Sequence, residues 1–255
     1  MRWKLEHILK KGSGGILLED DAVLAINKPA GLLVLPDRYD HNLLNLYDLL
    51  KETFGTIFVV HRIDRETSGV VLFAKTAEAH AQLNTAFEQR QVEKKYRAIV
   101  ARSARRAGTS HTDSDSINLS IIENEHGVRK MKIDTKKGKE ARTDYTVMEW
   151  FNGYALVEAR PHAGRTHQIR VHLSAIGLPI LADPLYGDGR GFFLSTIKRN
   201  YQGKEEEQPL LGRTALHAVS LSFSHPVTNG KILVEAPLPK DMEAVLKALR
   251  KHQRR

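Results

Sequence analysis

The chain has 255 residues, which suffices for one large domain or two small ones with a buried core. It contains no cysteine, and this excludes disulfides, thiolate catalysis and zinc sites that depend on cysteine. The 39 Lys and Arg against 30 Asp and Glu give a net charge of +9, which fits either a protein that binds a polyanion or a merely basic protein.

No segment of the sequence indicates export or a membrane span. Residues 1–7 contain no apolar run of signal-peptide length, and nowhere do about 20 apolar residues follow one another. We therefore expect a cytoplasmic protein that makes no membrane contact.

The periodicity of apolar residues predicts strands that alternate with helices. Strands are expected at residues 16–18, 22–26, 57–60, 70–74, 94–101, 141–148, 154–159, 216–223 and 231–234. Helices are expected at residues 43–54, 76–89, 166–174 and 241–251. Asn42 and Thr166 are expected to cap the first and third of these helices. Residues 103–116 and 197–208 are polar and lack periodicity, which predicts exposed loops.

This order of elements predicts an α+β fold with a mixed, mostly antiparallel sheet flanked by helices. The Asn-Gly pairs at 152–153 and 229–230 are strong turn signals and support hairpins at those places. No repeat, low-complexity tract or linker divides the sequence, so we expect a single domain over residues 1–255.

The most highly charged short stretch, residues 61–69, lies between two predicted buried strands. Within it, Asp64 stands close to Arg62 and Arg65, and opposite charges nearby favour the ionised form of a carboxyl group. A fixed, ionised carboxylate can act as a nucleophile or a base, but not as a general acid at neutral pH. The alternative is a structural salt bridge that closes a tight turn.

This stretch is the second in a series of motifs. In chain order they are Asn27-Lys28-Pro29-Ala30-Gly31; His61-Arg62-Ile63-Asp64-Arg65-Glu66-Thr67-Ser68-Gly69; Phe87, Arg90, Val92, Lys94, Tyr96, Ala98 and Val100; Gly164-Arg165-Thr166-His167-Gln168-Ile169-Arg170 with His172; Pro179-Ile180, Asp183, Tyr186 and Gly187; Leu216-His217-Ala218; and Ala236-Pro237-Leu238-Pro239. Together they resemble the RluA-type RNA pseudouridine synthases, in order, from about residue 20 to residue 245. The sequence departs from the family pattern at Ala163, Ala182 and Arg102, none of which replaces a charged or aromatic position.

The resemblance implies one catalytic domain with a long bent sheet and a central RNA-binding cleft. It also implies isomerisation of uridine to pseudouridine without a cofactor: the C1′–N1 bond breaks, the uracil turns, and C5 forms the new bond. Relatives often carry a small S4-type module before this domain, and we expect none here because about 20 residues precede the match.

The resemblance assigns catalysis to Asp64, Tyr96 and Arg165. Asp64 matches the catalytic aspartate, which either attacks C1′ or acts as a base at C2′. Arg165 matches the arginine that pairs with this aspartate, with a phosphate contact as the alternative. Tyr96 matches a tyrosine that stacks beneath the base, although a tyrosine on a strand is by itself more typical of a core.

Further positions are expected to contact RNA or to line the site. They are Lys28, His61, Arg62, Lys94, His167 and Arg170 for RNA, and Ile169 with Tyr96 for the uracil pocket. Alternatives remain for several of them: solvent exposure for Lys28, a structural turn role for His61, an ion pair with Asp64 for Arg62, and a core position for Ile169.

The expected partner is RNA, either ribosomal RNA or tRNA, bound by a monomer. No metal site is expected, because His162, His167 and His172 follow at intervals of five residues and not at the i, i+4 spacing of a helical metal site. An inactive RNA-binding protein that keeps the fold is one alternative. A glycosidase acting on a nucleoside is another, but only Glu66 or Asp183 would supply its second carboxyl group.

Overall fold

The computed structural model describes residues 15–102, 112–124, 130–203 and 206–253. Its strands are β1 (Ile16–Glu19), β2 (Val23–Lys28), β3 (Phe58–Val59), β4 (Ser68–Ala74), β5 (Glu93–Ala101), β6 (Ser114–Asn118), β7 (Ile121–Glu123), β8 (Met131–Ile133), β9 (Arg142–Trp150), β10 (Tyr154–Pro161), β11 (Leu216–Ser224) and β12 (Lys231–Glu235). Its α-helices are α1 (Leu46–Phe54), α2 (Ala77–Glu88), α3 (Gln168–Ala175) and α4 (Lys240–His252), with a short 3₁₀ helix at Leu194–Thr196. None of these helices is long and apolar enough to cross a membrane.

The described residues divide into two compact units. The first contains residues 15–95 and His217–Pro237. Its strands pair in the order β1-β2-β4-β11, with β3 also beside β4 and β12 beside β11. All these pairs are antiparallel except β4 with β11, which are parallel. Helix α2 contributes Ala79 and Leu83 to the apolar core of this unit.

The second unit contains residues 96–216 and 238–253. Its strands β5, β10, β9 and β6 pair in that order and are all antiparallel, while β7 and β8 form a separate two-stranded sheet. The core buries Ile169 and Leu173 of α3 together with Met242 and Val245 of α4. In each unit, amphipathic helices therefore pack their apolar faces against the sheet.

The α+β class and the mostly antiparallel pairing are confirmed. The bend of the sheet, the central cleft and the single-domain organisation stay predictions.

Two predicted helix starts are wrong. Helix α1 begins at Leu46, and its cap is Asn45, whose Oδ1 accepts the Asp48 N–H at 2.9 Å. Helix α3 begins at Gln168, and His167 stands at the cap position in a left-handed conformation, with φ 53°, without a side-chain cap bond. Thr166 therefore lies in the preceding loop.

The loop prediction for residues 103–116 is partly wrong, because Ser114–Asn118 forms the edge strand β6. Residues 103–111 of that prediction lie outside the described residues. The short strands β7 and β8 were also not predicted, because three residues are too few to show an alternating pattern.

Candidate active site

Asp64 stands at the first position of a tight turn between β3 and β4. Its carbonyl oxygen accepts the Thr67 N–H at 3.1 Å, and its side chain is half-buried. Thr67 and the whole of β4 after it are buried. The structure therefore holds a carboxylate on a short loop at the end of a rigid core strand, a common position for catalytic groups.

Lys28 and the loop after β2 hold this turn. Lys28 is fully buried, and its Nζ donates to the carbonyl oxygens of Pro29 (2.8 Å), Leu32 (2.7 Å) and Arg65 (3.1 Å). The Gly31 N–H donates to the Arg65 carbonyl at 2.8 Å, and the Arg65 Nε donates back to the Gly31 carbonyl at 3.1 Å. Both expectations for Lys28, solvent exposure and contact with the RNA backbone, are wrong because a side chain without exposed surface reaches no phosphate.

The Ser-Gly pair of the motif allows two strands to approach closely. Gly69 has φ 112°, and a Cβ there would overlap the carbonyl of Ala218 on the parallel strand β11. Beside it, Ser68 Oγ lies 2.9 Å from His217 Nδ1, and His217 Nε2 lies 3.3 Å from the Ala236 carbonyl oxygen. The Leu-His-Ala motif thus packs against the end of the Asp64 turn.

His61 supports the same loop from the other side. Its Nε2 accepts the Leu72 N–H of β4 at 2.9 Å, and its ring stacks on Phe87 at 4.8 Å between centroids. An Nε2 that accepts a hydrogen bond carries no proton, so the imidazole is neutral. Burial, with the nearby charge of Lys94, lowers the pKa of His61 to about 3. These contacts give His61 a structural role in the loop.

The other cations of the first unit differ in exposure. Lys94 is half-buried with its Nζ 6.0 Å from the Phe87 ring centroid, and burial followed by the charge of Arg90 lowers the pKa of Lys94. Arg62 is exposed, and Arg65 Nε lies 3.9 Å from Glu66 Oε1. Ion pairs of Arg62 and Arg65 with Asp64 stay predictions.

Tyr96 lies near the start of β5 in the second unit. It is paired with Ala159 of β10, is half-buried, and packs against the core of that unit. Strand β10 ends two residues later at Pro161 and continues into the loop that carries Arg165. Because the two strands are antiparallel, Tyr96 and the start of this loop lie at the same end of the sheet.

Arg165 is exposed on the loop between β10 and α3. Its backbone N–H donates to Gln168 Oε1 at 3.2 Å, and its Nε donates to the Glu140 carbonyl at 3.4 Å. Gln168 is itself buried, and its Nε2 donates to the Arg142 carbonyl at 2.9 Å and to Thr143 Oγ1 at 3.0 Å. A buried amide thus fixes the backbone of Arg165 and leaves the guanidinium group at the surface.

Arg170 is a structural residue, so its assignment to RNA binding is wrong. It is 4% exposed, and its Nε and Nη2 donate to the two carboxylate oxygens of the fully buried Asp183 at 2.7 and 2.8 Å. The same carboxylate accepts the N–H groups of Leu185 and Tyr186. Hydrogen bonds and the charge of Arg170 outweigh burial and lower the pKa of Asp183.

Ile169 is buried in the core of the second unit, as one of its two interpretations expected. Its role as a wall of the uracil pocket stays a prediction. His167 is half-buried, and its Nδ1 lies 3.0 Å from the hydroxyl of Tyr186.

A match to a known family follows from comparison of the whole sequence. A model of the RNA pseudouridylate synthase family matches residues 22–175. The chain belongs to this family. It is therefore an RNA pseudouridine synthase, an isomerase that acts on RNA, and the resemblance drawn from the motifs is confirmed.

Curated relatives of this synthase cover nearly its whole length. The ribosomal large subunit pseudouridine synthase D of Zymomonas mobilis is 35% identical over 243 residues, which span 92% of this chain and 72% of the relative. The uncharacterized RNA pseudouridine synthase YlyB of Bacillus subtilis is 36% identical over 245 residues, which span 93% and 73%. The solved structure of human RNA Pseudouridylate Synthase Domain Containing 4 has a TM-score of 0.69 at 29% identity and covers 92% of both chains.

The buried polar partners that hold the Arg165 loop were not predicted from the sequence. His172 is fully buried, with Nδ1 2.9 Å from Thr143 Oγ1 and Nε2 2.8 Å from the Leu119 carbonyl oxygen, and burial lowers the pKa of this imidazole. The signal was present in the motif, since His172 and Gln168 lie four residues apart on α3 and share one helix face.

The residues that the structure describes contain no group of three or more His, Cys, Asp and Glu side chains that would hold a metal ion.

Proposed function

We propose that Asp64 carries the first chemical step of uridine isomerisation in this synthase, with Tyr96 and Arg165 as further catalytic residues. The observation that supports Asp64 most strongly is the construction of its turn. A fully buried lysine ammonium joins the turn to the loop after β2, and a glycine-only contact fixes the strand that follows. A structural ion pair on a surface turn would not need such support.

The reaction requires a fixed group that can act as a nucleophile or as a base. The target uridine first leaves its stack, at a cost of about a few kcal/mol in a duplex and less in a loop. A carboxylate then either attacks C1′ as the C1′–N1 bond breaks, or removes the proton from C2′ as the same bond breaks and a C1′–C2′ double bond forms. Both routes need an ionised Asp64. Both end with a C1′–C5 bond in place of the C5–H bond, the C5 proton lost to a base and solvent, and N1 protonated; the second route also returns a proton to C2′.

The other two catalytic roles rest on the motif match and on local geometry. Tyr96 presents a half-buried ring at the end of the sheet where the Arg165 loop begins, and a half-buried ring of this kind suits stacking on a base. Arg165 keeps its guanidinium group exposed while its backbone is fixed, which suits a charged group that must meet an anion.

Large-subunit ribosomal RNA is the substrate that we propose, because several curated relatives carry that substrate in their names. The charge distribution agrees with a polyanionic partner. Residues 96–216 and 238–255 hold 25 Lys and Arg against 16 Asp and Glu, so the net charge of +9 belongs to the second unit, while the rest of the chain holds 14 of each. We further propose that the enzyme works as a monomer and without a cofactor, since the isomerisation involves no net redox change.

Mapping of pseudouridine in RNA tests this proposal. Ribosomal RNA and tRNA from a strain that lacks the gene would be incubated with the protein or with Asp64→Asn. Pseudouridine would then be mapped by carbodiimide treatment and reverse transcription. We expect a new stop in large-subunit ribosomal RNA with the wild-type protein and none with Asp64→Asn. A stop only in tRNA would contradict the substrate, and RNA binding without any new stop would favour the inactive RNA-binding alternative.

A further inference from the structure

Tyr186 connects two parts of the second unit, strand β8 and the loop that carries Arg165. Its hydroxyl oxygen accepts the Met131 N–H of strand β8 at 2.7 Å and lies 3.0 Å from Nδ1 of His167. Because the hydroxyl accepts one hydrogen bond, its own proton is available to His167 Nδ1. The hydroxyl oxygen of Tyr186 thus joins strand β8 to His167, the residue two positions after Arg165.

The ring of Tyr186 is fixed on several sides. The guanidinium carbon of Arg170 and the Nζ of Lys130 each lie 5.2 Å from its centroid, and His167 meets it edge-on at 5.7 Å. The backbone N–H of Tyr186 donates to Asp183, and its carbonyl oxygen accepts the Ser174 hydroxyl at 2.9 Å. The buried pair of Arg170 with Asp183 therefore determines where the hydroxyl of Tyr186 lies.

The backbone conformation of His167 needs a stabilising contact such as the one with Tyr186. It is a non-glycine residue with φ 53° and ψ 19°, a left-handed conformation that costs free energy in the absence of compensating contacts. The contact with Tyr186 supplies compensation. The left-handed residue in turn sets the direction in which the chain leaves Arg165 and enters α3.

Arg165 also contacts Glu140, which lies nine residues after the Met131 that Tyr186 binds. Residues 121–123 and 131–133 form the sheet β7–β8, which Lys139 extends through paired hydrogen bonds with Ile121. The carbonyl oxygen of the next residue, Glu140, accepts the Nε of Arg165. The β7–β8 sheet is therefore connected to the Arg165 loop by two routes, from β7 through Lys139 and Glu140, and from β8 through Tyr186 and His167.

We propose that Tyr186 is a positioning residue for the pseudouridine synthase reaction: through His167 it sets the backbone that presents Arg165, and it ties that backbone to the β7–β8 sheet. This inference rests on the catalytic role proposed for Arg165.

Tyr186→Phe tests it, because this change removes one oxygen and keeps the ring and its packing. Single-turnover rate and RNA affinity would be measured separately on the RNA identified by mapping. We expect the rate to fall by about tenfold to a hundredfold, as for a catalytic group displaced by a fraction of an ångström to one ångström, with the dissociation constant of the RNA unchanged within about twofold. The control is Tyr154→Phe, a half-buried tyrosine of the same unit that packs edge-on against Phe192 at 5.5 Å, and its rate should equal that of the wild type.

A double-mutant cycle separates positioning from general destabilisation. His167→Gly keeps the left-handed conformation accessible and removes the ring, so it should lower the rate as Tyr186→Phe does. If Tyr186 acts through His167, adding Tyr186→Phe to His167→Gly lowers the rate no further. Independent, multiplicative losses would overturn the proposal, as would a Tyr186→Phe variant with a wild-type rate. If Asp64→Asn is inactive while Tyr186→Phe is fully active, only this inference fails and the proposed function stands.

Discussion

At the scale of single residues, burial gives two basic side chains of the first unit structural roles. Lys28 satisfies three carbonyl oxygens, and one of them belongs to Arg65, which is 37 residues away in the chain. Such partners leave no pattern in the sequence, because a carbonyl oxygen is available at every residue. Asp64 differs in this respect, since its charged neighbours and motif are local and made it predictable as a candidate.

The neutral state of His61 predicts a specific dependence of stability on pH. Its pKa is about 3 in the folded protein and about 6.5 in the unfolded chain, so the unfolded state takes up the proton first as the pH falls. The stability contributed at neutral pH is therefore lost progressively below pH 6.5 and is exhausted near pH 3. Denaturant unfolding of the wild type and of His61→Gln would be compared at pH 7 and pH 5.

We expect the wild type to lose about 2 kcal/mol more than His61→Gln between these two pH values. His172 is present in both proteins, so its own lowered pKa cancels in the difference. Parallel losses in the two proteins would show that His61 is not the neutral acceptor of the Leu72 N–H.

At the scale of elements, the helices and hairpins with local signals were predictable and the short polar strands were not. Helix α2 (Ala77–Glu88) forms within the range 76–89 that its apolar spacing predicted. Strands β9 and β10 form the hairpin that the Asn-Gly pair between them predicted. Strand β6 has the sequence Ser-Asp-Ser-Ile-Asn, and only its pairing with β9 makes it a strand.

The local sequence pattern did not determine which asparagine caps helix α1. Both Asn42 and Asn45 are good capping residues, and Asn45 accepts the Asp48 N–H while its Nδ2 donates to Asp48 Oδ2 at 2.7 Å. We predict that Asn45→Ala lowers the free energy of unfolding by about 1 kcal/mol and that Asn42→Ala leaves it unchanged within about 0.3 kcal/mol. Denaturant unfolding measures both, and equal losses would contradict the cap assignment.

At the scale of the whole molecule, charge and motif are divided between the two units. The first contains the turn of Asp64 and no net charge, and the second contains Tyr96, Arg165 and the whole net charge of +9. Affinity for RNA is expected to come mainly from the second unit, because contacts of Lys and Arg with phosphates dominate affinity for nucleic acids. The family and fold class followed from the sequence because seven motifs stand in order along it. The supports of Asp64 and Arg165 needed the structure, because their partners lie far apart in the chain.

The role of Asp64 is tested most directly by release of tritium from RNA labelled at uracil C5, with enzyme in excess over the RNA identified by mapping. The C5–H bond breaks in every complete turnover, whichever route Asp64 takes. Asp21→Asn serves as the control, because it removes an exposed carboxylate of the same unit. We predict that Asp64→Asn binds the RNA with affinity close to that of the wild type and releases no tritium above background, while Asp21→Asn releases it at the wild-type rate. Tritium release by a folded, RNA-binding Asp64→Asn variant at a rate near that of the wild type would contradict the catalytic role of Asp64.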